Sequence, residues 1–122
     1  MAAKKRKIES MRGSTAPARI YEATLEPGPS GWVICGAEID TPAAIARRRS
    51  GLDIVVCHAA LKNNRSLARA VEAAVGMPTR PQHSHKNAGP HALPHFHQQS
   101  RSVEGHSFYE TDNPQRKARR PS

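Results

Sequence analysis

Apolar positions in this chain fall in short runs separated by turn residues, and the runs predict alternating strands and helices. Arg19 to Leu25 alternates polar and apolar side chains, the period of a half-buried strand. Pro27, Gly28, Pro29, Ser30 and Gly31 follow, a density of Pro and Gly that only a turn tolerates. Trp32-Val33-Ile34-Cys35 reads as a buried strand. Asp40 or Thr41 can then cap a helix whose first turn holds Pro42, where a missing N–H costs nothing. That helix runs through Arg48 and ends at Gly51. Asp53 to Cys57 is a second buried strand, and Asn63 or Asn64 caps a second helix that ends at Gly76. On it Leu67, Val71 and Val75 recur at four-residue spacing, with Arg65, Arg69 and Glu72 away from that stripe.

The two strand–helix stretches resemble each other. Placing Cys35 on Cys57, an offset of 22 residues, aligns Val33 with Val55, Ile34 with Val56, Ala37 with Ala59, Ile45 with Leu67 and Arg47 with Arg69. Two successive βα units favour a small parallel pairing with helices on one side. From Met77 the pattern changes, because Pro78, Pro81, Pro90 and Pro94 interrupt any long element. Leu93 to Gln98 and His106 to Glu110 can form a hairpin around the Ser100–Gly105 turn. The expectation is one α/β domain over residues 19–112 (α+β in the wider sense), built from two βα units and a C-terminal hairpin. A disordered basic arm, 1–18, precedes it and a basic tail, 113–122, follows.

Charge sharpens this picture. The net charge is +9, and residues 20–76 contribute six basic and six acidic side chains to it, a sum of zero. Residues 1–19 contribute +5 and residues 77–122 contribute +4. The charge therefore belongs to the flanks, which points to a polyanionic partner bound through counterion release. The residues expected to contact nucleic acid are Lys4, Lys5, Arg6, Lys7, Arg80, Lys86, Arg116, Lys117, Arg119 and Arg120. An acidic protein, such as an inhibitor, is the other partner such flanks suit.

Cys35 and Cys57 each sit inside an apolar run, which predicts buried free thiols and not a disulfide framework. No run approaches the roughly 18 apolar residues of a membrane span. The Lys-rich start lacks the apolar stretch of a signal peptide. A cytoplasmic site of action follows as the expectation, in the cell that makes the chain or in a target cell after delivery.

Six of the seven histidines lie between residues 83 and 106: His83, His85, His91, His95, His97 and His106. One reading is metal-independent RNA cleavage with no cofactor. That reaction needs a base for the 2′-hydroxyl proton, an acid for the leaving 5′-oxygen and a cation at the phosphorane. Two histidines fill the first roles and an arginine the third. His95 and His106 are the expected acid/base pair, Arg101 the cation, and Tyr109 and Glu110 supports for substrate or histidine. A second reading is a divalent metal held by the His-x-His pairs, His83/His85 and His95/His97, because in a strand both rings of such a pair point to one face. A third is non-enzymatic nucleic-acid binding. No helix-turn-helix or zinc-finger spacing, phosphate-cradling Gly loop, His-Glu-x-x-His or Gly-x-Ser-x-Gly is present.

The stretch Asn87-Ala-Gly-Pro-His-Ala-Leu-Pro-His95-Phe-His97, followed by Gly105-His106-Ser-Phe-Tyr109-Glu110, resembles the C-terminal toxin domains of bacterial polymorphic toxins, the ends of RHS- or PAAR-type effectors. Val-Ile-Cys-Gly-Ala-Glu-Ile-Asp and Asp-Ile-Val-Val-Cys are also similar to segments of such domains. The resemblance, over residues 20–112, implies a nuclease-like toxin and an immunity protein as a partner. Other domains of this kind are deaminases or ADP-ribosyltransferases, so the resemblance leaves the reaction open.

Overall fold

A computed structural model of the chain describes residues 15–82, 89–100 and 102–120. The fold is α+β, a five-stranded mixed sheet with two helices. In chain order the elements are β1 (Arg19–Leu25), β2 (Val33–Ile39), α1 (Thr41–Arg49), β3 (Ile54–Cys57), α2 (Leu61–Val75), β4 (His95–Phe96) and β5 (Ser107–Tyr109).

The sheet order is β2-β1-β3-β5-β4. β1 runs antiparallel to both β2 and β3, β3 pairs in parallel with β5, and β4 closes antiparallel on β5. The two βα units are thus present, but their strands do not pair. β1 lies between them, so each buried strand finds its partner in the alternating first strand. The parallel contact of the sheet is instead β3 with β5. The predicted C-terminal hairpin forms, with His95 opposite Phe108 and Phe96 opposite Ser107.

The first helix starts as its sequence dictates. Asp40 is its N-cap and accepts 2.9 Å from the Ala43 amide, and Pro42 sits in the first turn. The second begins at Leu61, earlier than Asn63 or Asn64 would place it. Asn64 is buried within the helix and closes the preceding turn, donating to the Ala59 carbonyl while accepting from the Ala59 amide. The same side chain reaches the Glu110 carbonyl, so its polar atoms serve tertiary contacts.

Alternation along the strands creates two faces. Ile20, Ile54, Val56, Phe96 and Tyr109 pack with Ala44, Ala68 and Val71 of the helices. Tyr21, Val55, Cys57, Leu93 and Phe108 form the core on the other face, which no helix among the described residues covers. That face is covered by loop residues and by the C-terminal segment.

Residues 113–120 are docked, contrary to the free tail expected from their composition. Arg119 bridges in parallel to Ile34, donating to the Val33 carbonyl at 2.7 Å and accepting from the Cys35 amide at 2.9 Å. The outer edge of β2 is thereby paired instead of open. Residues 77–82 do the same for β4, with bridges Pro78–Gln98 and Gln82–His95. His95 and His97 consequently have backbone partners outside the hairpin.

Candidate active site

Three of the expected histidines converge on the helix-free face at the loop end of the hairpin. Along β5, Ser107 and Tyr109 point to the helices, so His106 and Phe108 point away. His95, beside the inward Phe96, points the same way. The rings of His95 and His106 stand 4.7 Å apart, nearly perpendicular, and both rest on Phe108 at 5.6 and 5.1 Å. His97 lies 6.4 Å from His106 and 5.9 Å from His95.

His97 and His106 also line a cleft of about 570 Å³ whose walls include Thr79, Gln99, Ser100 and Glu104. At 4.7 Å, the rings of His95 and His106 leave no room for a phosphate between them. His97 stands farther from His106, at 6.4 Å, and shares the cleft with it, while His95 packs edge-on against His106.

Each cleft histidine has its second nitrogen assigned by a partner. Nδ1 of His97 is 2.9 Å from the Gln98 carbonyl, which only accepts, so Nδ1 carries a proton and Nε2 is left as the basic atom of the neutral ring. Nδ1 of His106 is 3.2 Å from Oδ1 of Asp53, and the same oxygen accepts the His106 backbone N–H at 2.7 Å. Asp53 thus fixes the ring's orientation and compensates its positive charge when it is protonated. Nothing in the sequence beyond its place at the mouth of a buried strand marked this aspartate.

A buried network holds the backbone on either side of His106. Arg48 and Glu72 are both 0 % exposed and paired through two hydrogen bonds, 2.7 and 3.0 Å. The guanidinium also donates to the carbonyls of Leu52, Glu104 and Gly105, using all five of its N–H groups. Glu72 accepts in addition from Ser107 at 2.6 Å and from Gln98 at 3.1 Å. Gly105 is obligatory in this arrangement. Its φ is +89°, and a Cβ there would lie 2.6 Å from Arg48 Nη1 and 2.8 Å from the Gly51 carbonyl oxygen.

The remaining expected site residues lie elsewhere. Tyr109 is a core residue under the helices, tilted against Phe96 at 5.5 Å, because it alternates with Phe108 on the strand. Its hydroxyl pKa is pushed up by burial, with Arg65 acting weakly the other way. Glu110 holds the amides of His58 and Ala118 and faces away from the cleft. Arg101, His83, His85, Lys86 and Lys4 to Lys7 lie outside the described residues. Arg80 is exposed next to the cleft residue Thr79.

Arg116, Lys117 and Arg119 are engaged in docking the C-terminal segment. They contact the Ala92 carbonyl, the Thr111 carbonyl and Glu26 respectively. Arg120 takes part in a second constellation. The hydroxyl of Tyr21 lies 2.8 Å from Nε2 of His58, and Arg120 meets the same nitrogen and covers the Tyr21 ring at 4.7 Å. His58 has φ +82°, unusual for a residue with a side chain, at the C-terminal end of β3. Beneath lie Cys35 and Cys57, both free and buried as their apolar runs foretell, with sulfurs 3.9 Å apart.

Among the described residues no group of three or more His, Cys, Asp or Glu side chains is placed to hold a metal ion, and no helix is long and apolar enough to cross a membrane. No protein-family model, curated protein or solved structure matches the chain, so its function must be read from the geometry of its own side chains.

Proposed function

We propose that the chain is a ribonuclease-like toxin that cleaves RNA by metal-independent transesterification in the His97/His106 cleft. The observation that carries this is the pair of perpendicular imidazoles 6.4 Å apart across an open cleft, one turned by a carbonyl and the other by a carboxylate. Nε2 of His97 takes the proton of a ribose 2′-hydroxyl. The freed oxygen attacks the adjacent phosphorus, and His106, protonated and backed by Asp53, gives its Nε2 proton to the departing 5′-oxygen. The products are a 2′,3′-cyclic phosphate and a 5′-hydroxyl. His95 touches both rings, and Phe108 packs against that of His106. The resemblance of the His95 and His106 segments to polymorphic toxin domains agrees with this reading, and an acidic immunity protein is the partner it implies.

The test is incubation of purified protein with a labelled oligoribonucleotide in EDTA. Cleavage leaving cyclic phosphate ends, lost in His97→Ala and in His106→Ala, supports the reading. Cleavage that appears only when a divalent metal is added, or that survives both substitutions, overturns it.

A further inference from the structure

The charge of the folded middle sums to zero, yet its carboxylates are spent in particular places. Glu22 faces Arg47, Glu26 faces Arg119, Glu38 faces Arg19, and Asp53 faces His106. Asp40 caps α1, and Glu72 is buried on Arg48. Every acid of this stretch is committed. The cations are not.

On α2, Lys62, Arg65 and Arg69 are exposed, and among the described residues none has a carboxylate partner. At 3.6 residues per turn they fall within an arc of about 60° and along about 10 Å of the axis. Glu72, the helix's one acid, follows Arg69 by three residues but is turned inward.

This arrangement works against the helix itself. Lys62 and Arg65 stand near the positive end of the dipole, where acidic side chains are favoured. The helix's own first turn holds no acid, and its N-terminus is met instead by Asp112, whose carboxylate accepts the Leu61 amide at 2.8 Å. Three exposed cations on one face, with no carboxylate partner among the described residues, call for another role. We infer that the outward face of α2 is a second RNA contact, a track for backbone phosphates.

The neighbours favour nucleic acid over a protein. Ser66, Ala70 and Ala73, also exposed, offer no aromatic or large apolar anchor, whereas phosphates need only point charges. The axial spacings, about 4.5 and 6 Å, suit successive phosphates of one strand. The far end of the helix meets the cleft directly, since Gln98, part of the cleft wall, donates to the Glu72 carbonyl at 2.9 Å. The inference takes from the proposed function only that the ligand is RNA, and it requires no catalysis.

The experiment measures binding of the full chain to a fluorescent, uncleavable 2′-O-methyl oligoribonucleotide over a range of salt concentrations. Wild type is compared with the Lys62→Gln/Arg65→Gln/Arg69→Gln triple variant and with Arg19→Gln, whose side chain is already paired with Glu38. Loss of three phosphate contacts should make the slope of log affinity against log salt shallower by about 2 and weaken binding at the lowest salt at least about tenfold. Arg19→Gln should keep the wild-type slope. The triple variant should melt no lower than wild type, because removing cations from the start of the helix relieves the conflict with its dipole. An unchanged slope and affinity in the triple variant overturn the track. If wild type itself fails to bind RNA, the proposed function falls with it.

Discussion

Asp53 and His106 are joined twice through a single carboxylate oxygen, which accepts the histidine's backbone N–H at 2.7 Å and faces its Nδ1 at 3.2 Å. The backbone bond sets where the residue sits and the ring contact sets how it is turned. Asp53→Asn therefore separates position from charge. It should lower the rate of RNA cleavage by about 10²-fold while leaving oligonucleotide affinity near wild type, measured by single-turnover kinetics beside equilibrium binding. A loss of affinity equal to the loss of rate would contradict this role.

His106→Ala should abolish cleavage without unfolding the chain, since its ring is 36 % exposed. If the protein is the toxin proposed, the same substitution should relieve growth arrest when the chain is expressed in bacteria. Arrest of equal strength from the variant, at equal protein level, would contradict it.

Arg48 and Glu72 sit at the other extreme of burial. Replacing either partner alone, as in Glu72→Gln or Arg48→Met, leaves a charge in the core with nothing to balance it. The expected cost is about 3–5 kcal/mol, read by urea denaturation. Because the network grips Gly105, Ser107 and Gln98, milder variants such as Ser107→Ala should also disturb the His106 and His97 imidazole resonances in NMR spectra.

Alkaline stability should report on Tyr109. Burial holds its hydroxyl above the ordinary value, so above about pH 10 the unfolded chain releases a proton that the folded chain keeps. The folded state then binds more protons, and stability falls as pH rises. The contribution is fully present below pH 10 and declines as pH climbs toward the folded value. Tyr109→Phe should flatten that part of the curve of unfolding free energy against pH.

Truncation after Lys117 removes Arg119 with its two backbone bonds to β2, and also Arg120 with its contacts to His58 and Tyr21. Stability should drop by about 1–3 kcal/mol. The bared edge of β2 should promote self-association, visible as concentration-dependent sedimentation.

What the chain discloses before folding is its local grammar. β1 was legible to the residue because alternation is a short-range signal, and α1 because Asp40 and Pro42 mark its start. The insertion of β1 between the two βα units was not legible, since strand order depends on long-range pairing. The hairpin was, and with it the convergence of His95 and His106. That His97 shares a cleft with His106 turns on side-chain placement, which no sequence pattern carries. Asp53 and His58 were missed for the same reason, as each gains meaning from residues 37 or more positions away. The C-terminal segment was misjudged because its composition is that of a solvated tail, while its backbone is what pairs with β2.

The parallel β3–β5 pairing has a consequence for how the protein comes into being. Asp53 and His106 are 53 residues apart, and only that pairing brings them together. Closing so large a loop is slow compared with forming either helix. During synthesis, the N-terminal half can fold its sheet core and helices well before the cleft exists. Under the proposed function, the nascent chain would stay inert until the segment carrying His97 and His106 had emerged, and the capacity to cut RNA would follow the rest of this fold.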